Sequence, residues 1–276
     1  MDRYNHLRTA RIVLSDVARR LRSLQCLDWI SYCVVRVSSI RRCRDFIERN
    51  PDFPVPPPHL AYDAYNTISW DDYFTSGHKS AEIISELMTR HLAVNNARVL
   101  EWGCGPARII RHLPELLGSG VAIYGSDYNA ESISWCRKHI KGVTFVENQL
   151  APPLCFEEGF FDCVYGASVL THLSEEMCKA WIKELGRITR KGRIIILTTK
   201  GEIQVARLLP RERRKIINNE PVFRGNIVEG KKMFDTILPA KYIKSVLFAG
   251  FELVEHIPAK ESSSHHNQDL WVIRNP

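Results

Sequence analysis

The sequence predicts an α/β protein: a seven-stranded, mostly parallel sheet with helices on both faces, a closing antiparallel hairpin, and a helical arm in front. Three observations carry this. Strand and helix patterns alternate from residue 97 to about residue 200, which requires parallel strands joined by crossover helices. Arg193 to Thr199 is a continuous apolar run of the kind buried on both sides. The last two strand patterns are separated only by residues 258–268, which carry no helix pattern, so they pair antiparallel.

The elements follow in order. Residues 1–50 form a basic amphipathic helical arm, in which Leu7, Ala10, Leu14, Val17, Leu21 and Leu24 recur at helical steps. Leu24 to Ile40 is the longest apolar stretch there. Asp28 and Arg36 interrupt it, so it falls short of a spanning helix. Residues 51–96 are a proline-rich linker and a lead-in helix from Gly77 to Leu92. Residues 97–276 form the main domain. Its strands are expected at 98–102, 121–127, 143–146, 161–165, 193–199, 251–257 and 270–274. Helices are expected from Pro106, from Ala130 behind an Asn129 cap, from Ser174, and over 239–249. Residues 201–238 are a basic insertion.

The chain has 276 residues with 45% hydrophobic and 25% charged, which excludes disordered and fibrous classes. Its eight cysteines show no C-x-x-C spacing, so neither a disulfide scaffold nor a structural zinc site is expected. Reduced thiols point to the cytoplasm. The net charge of +7 is uneven: residues 1–50 and 200–244 each carry +6, and the rest of the chain carries −5. Such segments are either solvated faces or patches for anionic partners. The arm either lies on an anionic membrane surface or packs on the main domain or a second copy.

The stretch Val99 to Arg108 runs from strand through a glycine turn toward a helix start. Gly103 and Gly105 let backbone approach a ligand. Arg108 stands where a dinucleotide fingerprint requires its third glycine, so that pattern fails. Asp127 ends the second strand, where a carboxylate can accept two vicinal hydroxyls or cap a helix. His172 follows the fourth strand at the carboxyl edge, where open α/β sheets bind ligands.

With Glu101, Gly103, Gly105 and Ala107 in the positions of an acid-x-Gly-x-Gly-x-Gly pattern, the sequence resembles class I S-adenosylmethionine-dependent methyltransferases, with an alanine for the third glycine. Phe161 to Leu173 resembles the family's fourth strand and exit, and Gly250 to Ile273 its closing hairpin. The lead-in and His266 to Asp269 resemble bacterial enzymes associated with cell-surface polysaccharides. The resemblance implies a Rossmann-like fold and S-adenosylmethionine as cofactor. It implies cofactor contacts from Glu101, Gly103, Gly105, Asp127, Tyr128, Asn148 and Ser168. A base is needed only for a weakly acidic acceptor; His172 leads and His266 follows.

Residues 201–238 are placed to cover the acceptor pocket, and Arg207, Arg211, Arg213, Arg214, Lys215, Arg224, Lys231 and Lys232 would make that cover positive. The leading expectation is methyl transfer to a hydroxyl of a small, anionic acceptor such as a glycan or glycolipid, at or near the inner face of the membrane. The alternatives are an RNA or protein methyltransferase and a non-catalytic module. Tyr165 to Ser168 lacks the Pro-Pro-aromatic exit of amino-methylating base enzymes, so nucleic acid is not the expected partner. The oligomeric state is not legible.

Overall fold

The computed structural model describes residues 16, 17, 19, 23–260 and 267–276. A helical lead-in comprises α1 (Leu24–Arg49), α2 (Pro58–Tyr65) and α3 (Trp70–His91). The main domain follows as β1 (Arg98–Trp102), α4 (Leu113–Leu117), β2 (Ala122–Asp127), α5 (Ala130–His139), β3 (Thr144–Glu147), β4 (Phe161–Gly166), α6 (Glu175–Ile188) and β5 (Thr189–Thr199). The insertion adds α7 (Pro210–Ile217) and a two-stranded ribbon, β6 (Val222–Arg224) with β7 (Asp235–Ile237). A short α8 (Ala240–Tyr242), continued as a wider turn to Leu247, leads to β8 (Glu252–Ile257) and β9 (Asp269–Arg274).

The main sheet has the order β3-β2-β1-β4-β5-β9-β8, with β1 to β5 parallel and the β8–β9 pair antiparallel. This is the Rossmann-like sheet with its closing hairpin that the alternation predicts. The order reverses at β1 and β4, so connections leave the two strands to opposite sides and open a crevice at their carboxyl ends. Val99 and Tyr165 face the layer that packs with Ile84, Met88 and Ile133, while Leu100 and Val164 face the layer of Trp181 and Leu185. Alternating side chains of one strand thus serve two cores.

The lead-in departs from the sequence reading. α2 begins at Pro58, a residue suited to a first helical position, and α3 starts at Trp70 rather than Gly77 because the Ser69 hydroxyl accepts the Asp72 N–H at 3.3 Å. No regular helix starts at Pro106. Residues 103–109 stay in turns, with Ala107 at a left-handed φ of 61°, before one 3₁₀ turn (Ile110–His112) and α4. The third small residue of the motif therefore occupies a glycine-like conformation and is fully buried, so a larger side chain has no room there.

α1 packs through Leu24, Asp28, Tyr32, Val35, Cys43 and Phe46, which fall on one face of the helix. Phe46 is buried with Tyr62, Trp70 and Tyr73. Leu7, Ala10, Leu14 and Leu21 of the arm lie outside the described residues.

Candidate active site

A cleft enclosing about 1000 Å³, its open mouth included, lies at the carboxyl ends of β1, β2 and β4. Gly103, Gly105, Asp127, Tyr128, Asn148, Ser168 and His172 all line it. Asn129 caps α5 by accepting the Ser132 N–H, so Asp127 is free of that duty. Instead its Oδ2 accepts the Gly105 N–H and its Oδ1 the Asn129 N–H, both at 2.8 Å. Each oxygen keeps a lone pair for a further donor. Burial pushes the Asp127 carboxyl up from its ordinary range, while those two N–H groups pull it down.

Glu101 does not line the cleft. It is buried behind the turn and accepts the Ile110 N–H at 3.1 Å. Burial pushes its carboxyl up to about 8. Its place in the motif is to hold the chain leaving the turn. Tyr128 donates its hydroxyl to the Gly230 carbonyl at 3.0 Å, tying the end of β2 to the insertion. Ser168, at a left-handed φ of 64°, receives a hydrogen bond from Gln268, whose carbonyl accepts the Thr198 hydroxyl.

His172 sits on a 3₁₀ turn, Leu170–His172. Its Nδ1 lies 2.8 Å from the Phe234 carbonyl oxygen. A carbonyl only accepts, so Nδ1 carries the proton and Nε2 keeps its lone pair. Burial lowers the pKa of the ring, which keeps it neutral near pH 7. His266 and its neighbour His265 lie outside the described residues.

Sequence reasoning missed the other wall. Leu60, Asp63, Ala64 and Tyr65 of α2 line the cleft, with Arg108 and Lys232. Arg108 stacks over the Tyr65 ring at 4.6 Å and donates to Ser76 at 3.0 Å. The aromatic and polar run over residues 59–75 was the only local signal, and nothing in it indicates which strand edge it covers. The insertion also differs from expectation. Of its eight named cations only Lys232 lines the cleft, and it pairs with Asp28 at 3.0 Å. Arg224 is held by Glu212 and Asp235, Lys231 by Asp63, and Arg211 by Asp16. These cations serve mainly to fasten the insertion.

Residues 99–192 match the family model described as a methyltransferase domain. Residues 99–192 therefore form a methyltransferase domain. Solved methyltransferases share its fold. The N-methyltransferase NodS from Bradyrhizobium japonicum, in complex with S-adenosyl-L-homocysteine, is 15% identical with a TM-score of 0.53, covering 79% of this chain and 97% of NodS. A S-adenosylmethionine-dependent methyltransferase from Methanosarcina mazei is 17% identical with a TM-score of 0.51, covering 68% and 94%. The glycopeptide N-methyltransferase MtfA, complexed with S-adenosylmethionine, is 15% identical with a TM-score of 0.50, covering 72% and 94%.

The methyltransferase cleft fits that cofactor. A Cβ at Gly103, φ 75°, would collide with Val169, and one at Gly105, φ 50°, would lie 3.2 Å from the Tyr65 hydroxyl; both φ values are left-handed, so this wall is bare backbone by necessity. Asn148 Oδ1 is buried and has no partner, which leaves an acceptor aimed at a missing donor. Asp127 adds two more acceptor positions.

Proposed function

We propose that this methyltransferase transfers a methyl group from S-adenosylmethionine to a hydroxyl of a small-molecule acceptor, a glycan, glycolipid or related metabolite at or near the membrane, with His172 as general base. The observation that carries this is the fixed tautomer of His172. The Phe234 carbonyl holds the Nδ1 proton, so the basic Nε2 belongs to a ring in the cleft wall.

The bound cofactor supplies an activated methyl on a sulfonium, so the protein's task is alignment and proton removal. Asp127 accepts the two ribose hydroxyls, a bidentate contact suited to an ionised carboxylate. Asn148 would take the adenine amino group and Tyr128 would cover the ring. Gly103 and Gly105 would admit the chain of the nucleoside against bare backbone, and Ser168 would close the far side. With the cofactor's methyl supplied to the acceptor oxygen, His172 Nε2 would take the hydroxyl proton. Correct alignment alone is worth roughly 7–11 kcal/mol of barrier.

Charge in the cleft is balanced. Asp63 and Asp127 stand against Arg108 and Lys232, while Lys231 pairs with Asp63 and Asp28 with Lys232 from just outside the lining. The lining therefore favours a neutral acceptor over the anionic one that composition suggests. Incubation with S-adenosylmethionine and fractionated glycans and glycolipids, followed by mass spectrometry, should reveal a product one methyl heavier. Its methyl proton resonance should be that of an ether. An N-methyl product, or methylation confined to RNA or protein fractions, would overturn the reading.

A further inference from the structure

The two long sides of α1 are both apolar, yet only one is covered. Leu24, Tyr32, Val35, Cys43 and Phe46 pack inward. The opposite side presents Leu27, Ile30, Val34 and Val37, spaced three and four apart, with Trp29 and Ile40 beside them. Trp29 is 66% exposed, Val34 62% and Val37 70%. Such a helix is normally buried all round. No helix among the described residues is long and apolar enough to cross a membrane, so this stripe lies along a surface rather than through one.

The charges around the stripe identify that surface. Asp28 is the only acid between residues 17 and 44, and it is turned inward, accepting from Tyr62 at 3.1 Å and pairing with Lys232. Arg36, Arg41, Arg42 and Arg44 are exposed, and among the described residues none of them meets a carboxylate. A second copy of α1 would bring four more arginines to the stripe, with Asp45 and Glu48 gathered only at the far end of the helix. An anionic lipid surface supplies both an apolar layer for the stripe and countercharge for the arginines.

We propose that the outward face of α1 docks this enzyme on an anionic lipid surface. The cleft then lies one helix away from that surface, because Lys232 lines it and is held by Asp28 on the covered face of α1. This deepens the reading of a membrane-borne acceptor, but its test needs no turnover.

The full chain should co-sediment with vesicles of phosphatidylcholine and phosphatidylglycerol, and only weakly with phosphatidylcholine alone. Val34→Glu with Val37→Glu should reduce that binding roughly tenfold or more. S-adenosylhomocysteine affinity and the melting temperature serve as controls for fold and cofactor site, and both should be unchanged. Loss of cofactor binding in the unmodified chain would count against the methyltransferase reading alone. Docking is overturned if the unmodified chain does not sediment, if the double variant sediments equally well, or if ultracentrifugation without lipid shows a dimer that the double variant dissolves.

Discussion

The two walls of the cleft are made by different means. On the cofactor side, all but Ser168 comes from the ends of three adjacent strands: Gly103 and Gly105 after β1, Asp127 and Tyr128 at the end of β2, Asn148 after β3. The Gly103 and Cys104 N–H groups both bond the Ser126 carbonyl, and Gly105 N–H bonds Asp127, so strand pairing itself sets this geometry. On the acceptor side, α2, the β4 exit and the insertion meet from segments far apart in the chain. They are joined by side chains such as Lys231 with Asp63 and by His172 with the Phe234 carbonyl. One wall is specified locally, and the other exists only once the chain has folded. The first is suited to an invariant cofactor, the second to a particular acceptor.

If the walls are functionally separate, substitutions in one should spare the other. His172→Ala tests this most sharply. A positioned base contributes about 10²–10⁴-fold, so turnover should fall by that order while calorimetric affinity for S-adenosylmethionine stays within a few-fold. Burial holds the His172 pKa below its ordinary value, so turnover should persist further into acid than an ordinary histidine allows, then fall as the ring protonates. A large loss of cofactor affinity would merge the walls. Asp127→Ala is the converse. Losing hydrogen bonds to a charged group costs about 1.5–3 kcal/mol, so the dissociation constant should rise by more than tenfold. An unchanged constant would remove Asp127 from the cofactor wall.

The same division explains what could be read from the sequence. The alternation of strands and helices, the bare turn at Gly103 and Gly105, and Asp127 at a strand end are local patterns, and each appears where its period or spacing places it. Tyr65 and Asp63 were invisible because nothing in their own segment encodes the distant strand edge they cover. The cations of the insertion misled for the opposite reason. Composition counts Arg224 and Arg211 as surface charge, and only the fold shows Glu212, Asp235 and Asp16 against them. The arm is a third case. Phe46 belongs to a buried aromatic cluster, so removing residues 1–50 would open that cluster. Substitution on the outer stripe separates docking from folding where deletion cannot.

Support behind the cofactor wall should show in stability. His112, buried beside Phe53, Phe74 and Arg111, has its pKa lowered to about 4, chiefly by burial. The fold favours the neutral ring. Its contribution is therefore complete above the unfolded value near 6.5 and declines as pH falls toward 4. Discounted for partial solvent screening, the loss between pH 7 and 4 is on the order of 2 kcal/mol. The melting temperature of His112→Gln should change less over that interval than that of the unmodified chain; equal slopes would place the acid sensitivity elsewhere.

Glu101 gives a pH dependence of the opposite sign. Its carboxyl, pushed up to about 8 by burial, is mostly protonated in the folded protein at neutral pH. Because the folded value lies above the unfolded one, the stabilising contribution is complete below about pH 4.5 and is lost as pH rises through 8. Glu101→Gln keeps an oxygen for the Ile110 N–H and carries no charge. The variant should match the unmodified chain near pH 5 and exceed it clearly at pH 9 in denaturant midpoints. Its affinity for S-adenosylmethionine should change little if Glu101 only holds the turn from behind. A tenfold loss of affinity in this near-isosteric variant would mean that the carboxylate itself reaches the ligand, and that the cofactor wall extends one layer deeper than the cleft lining indicates.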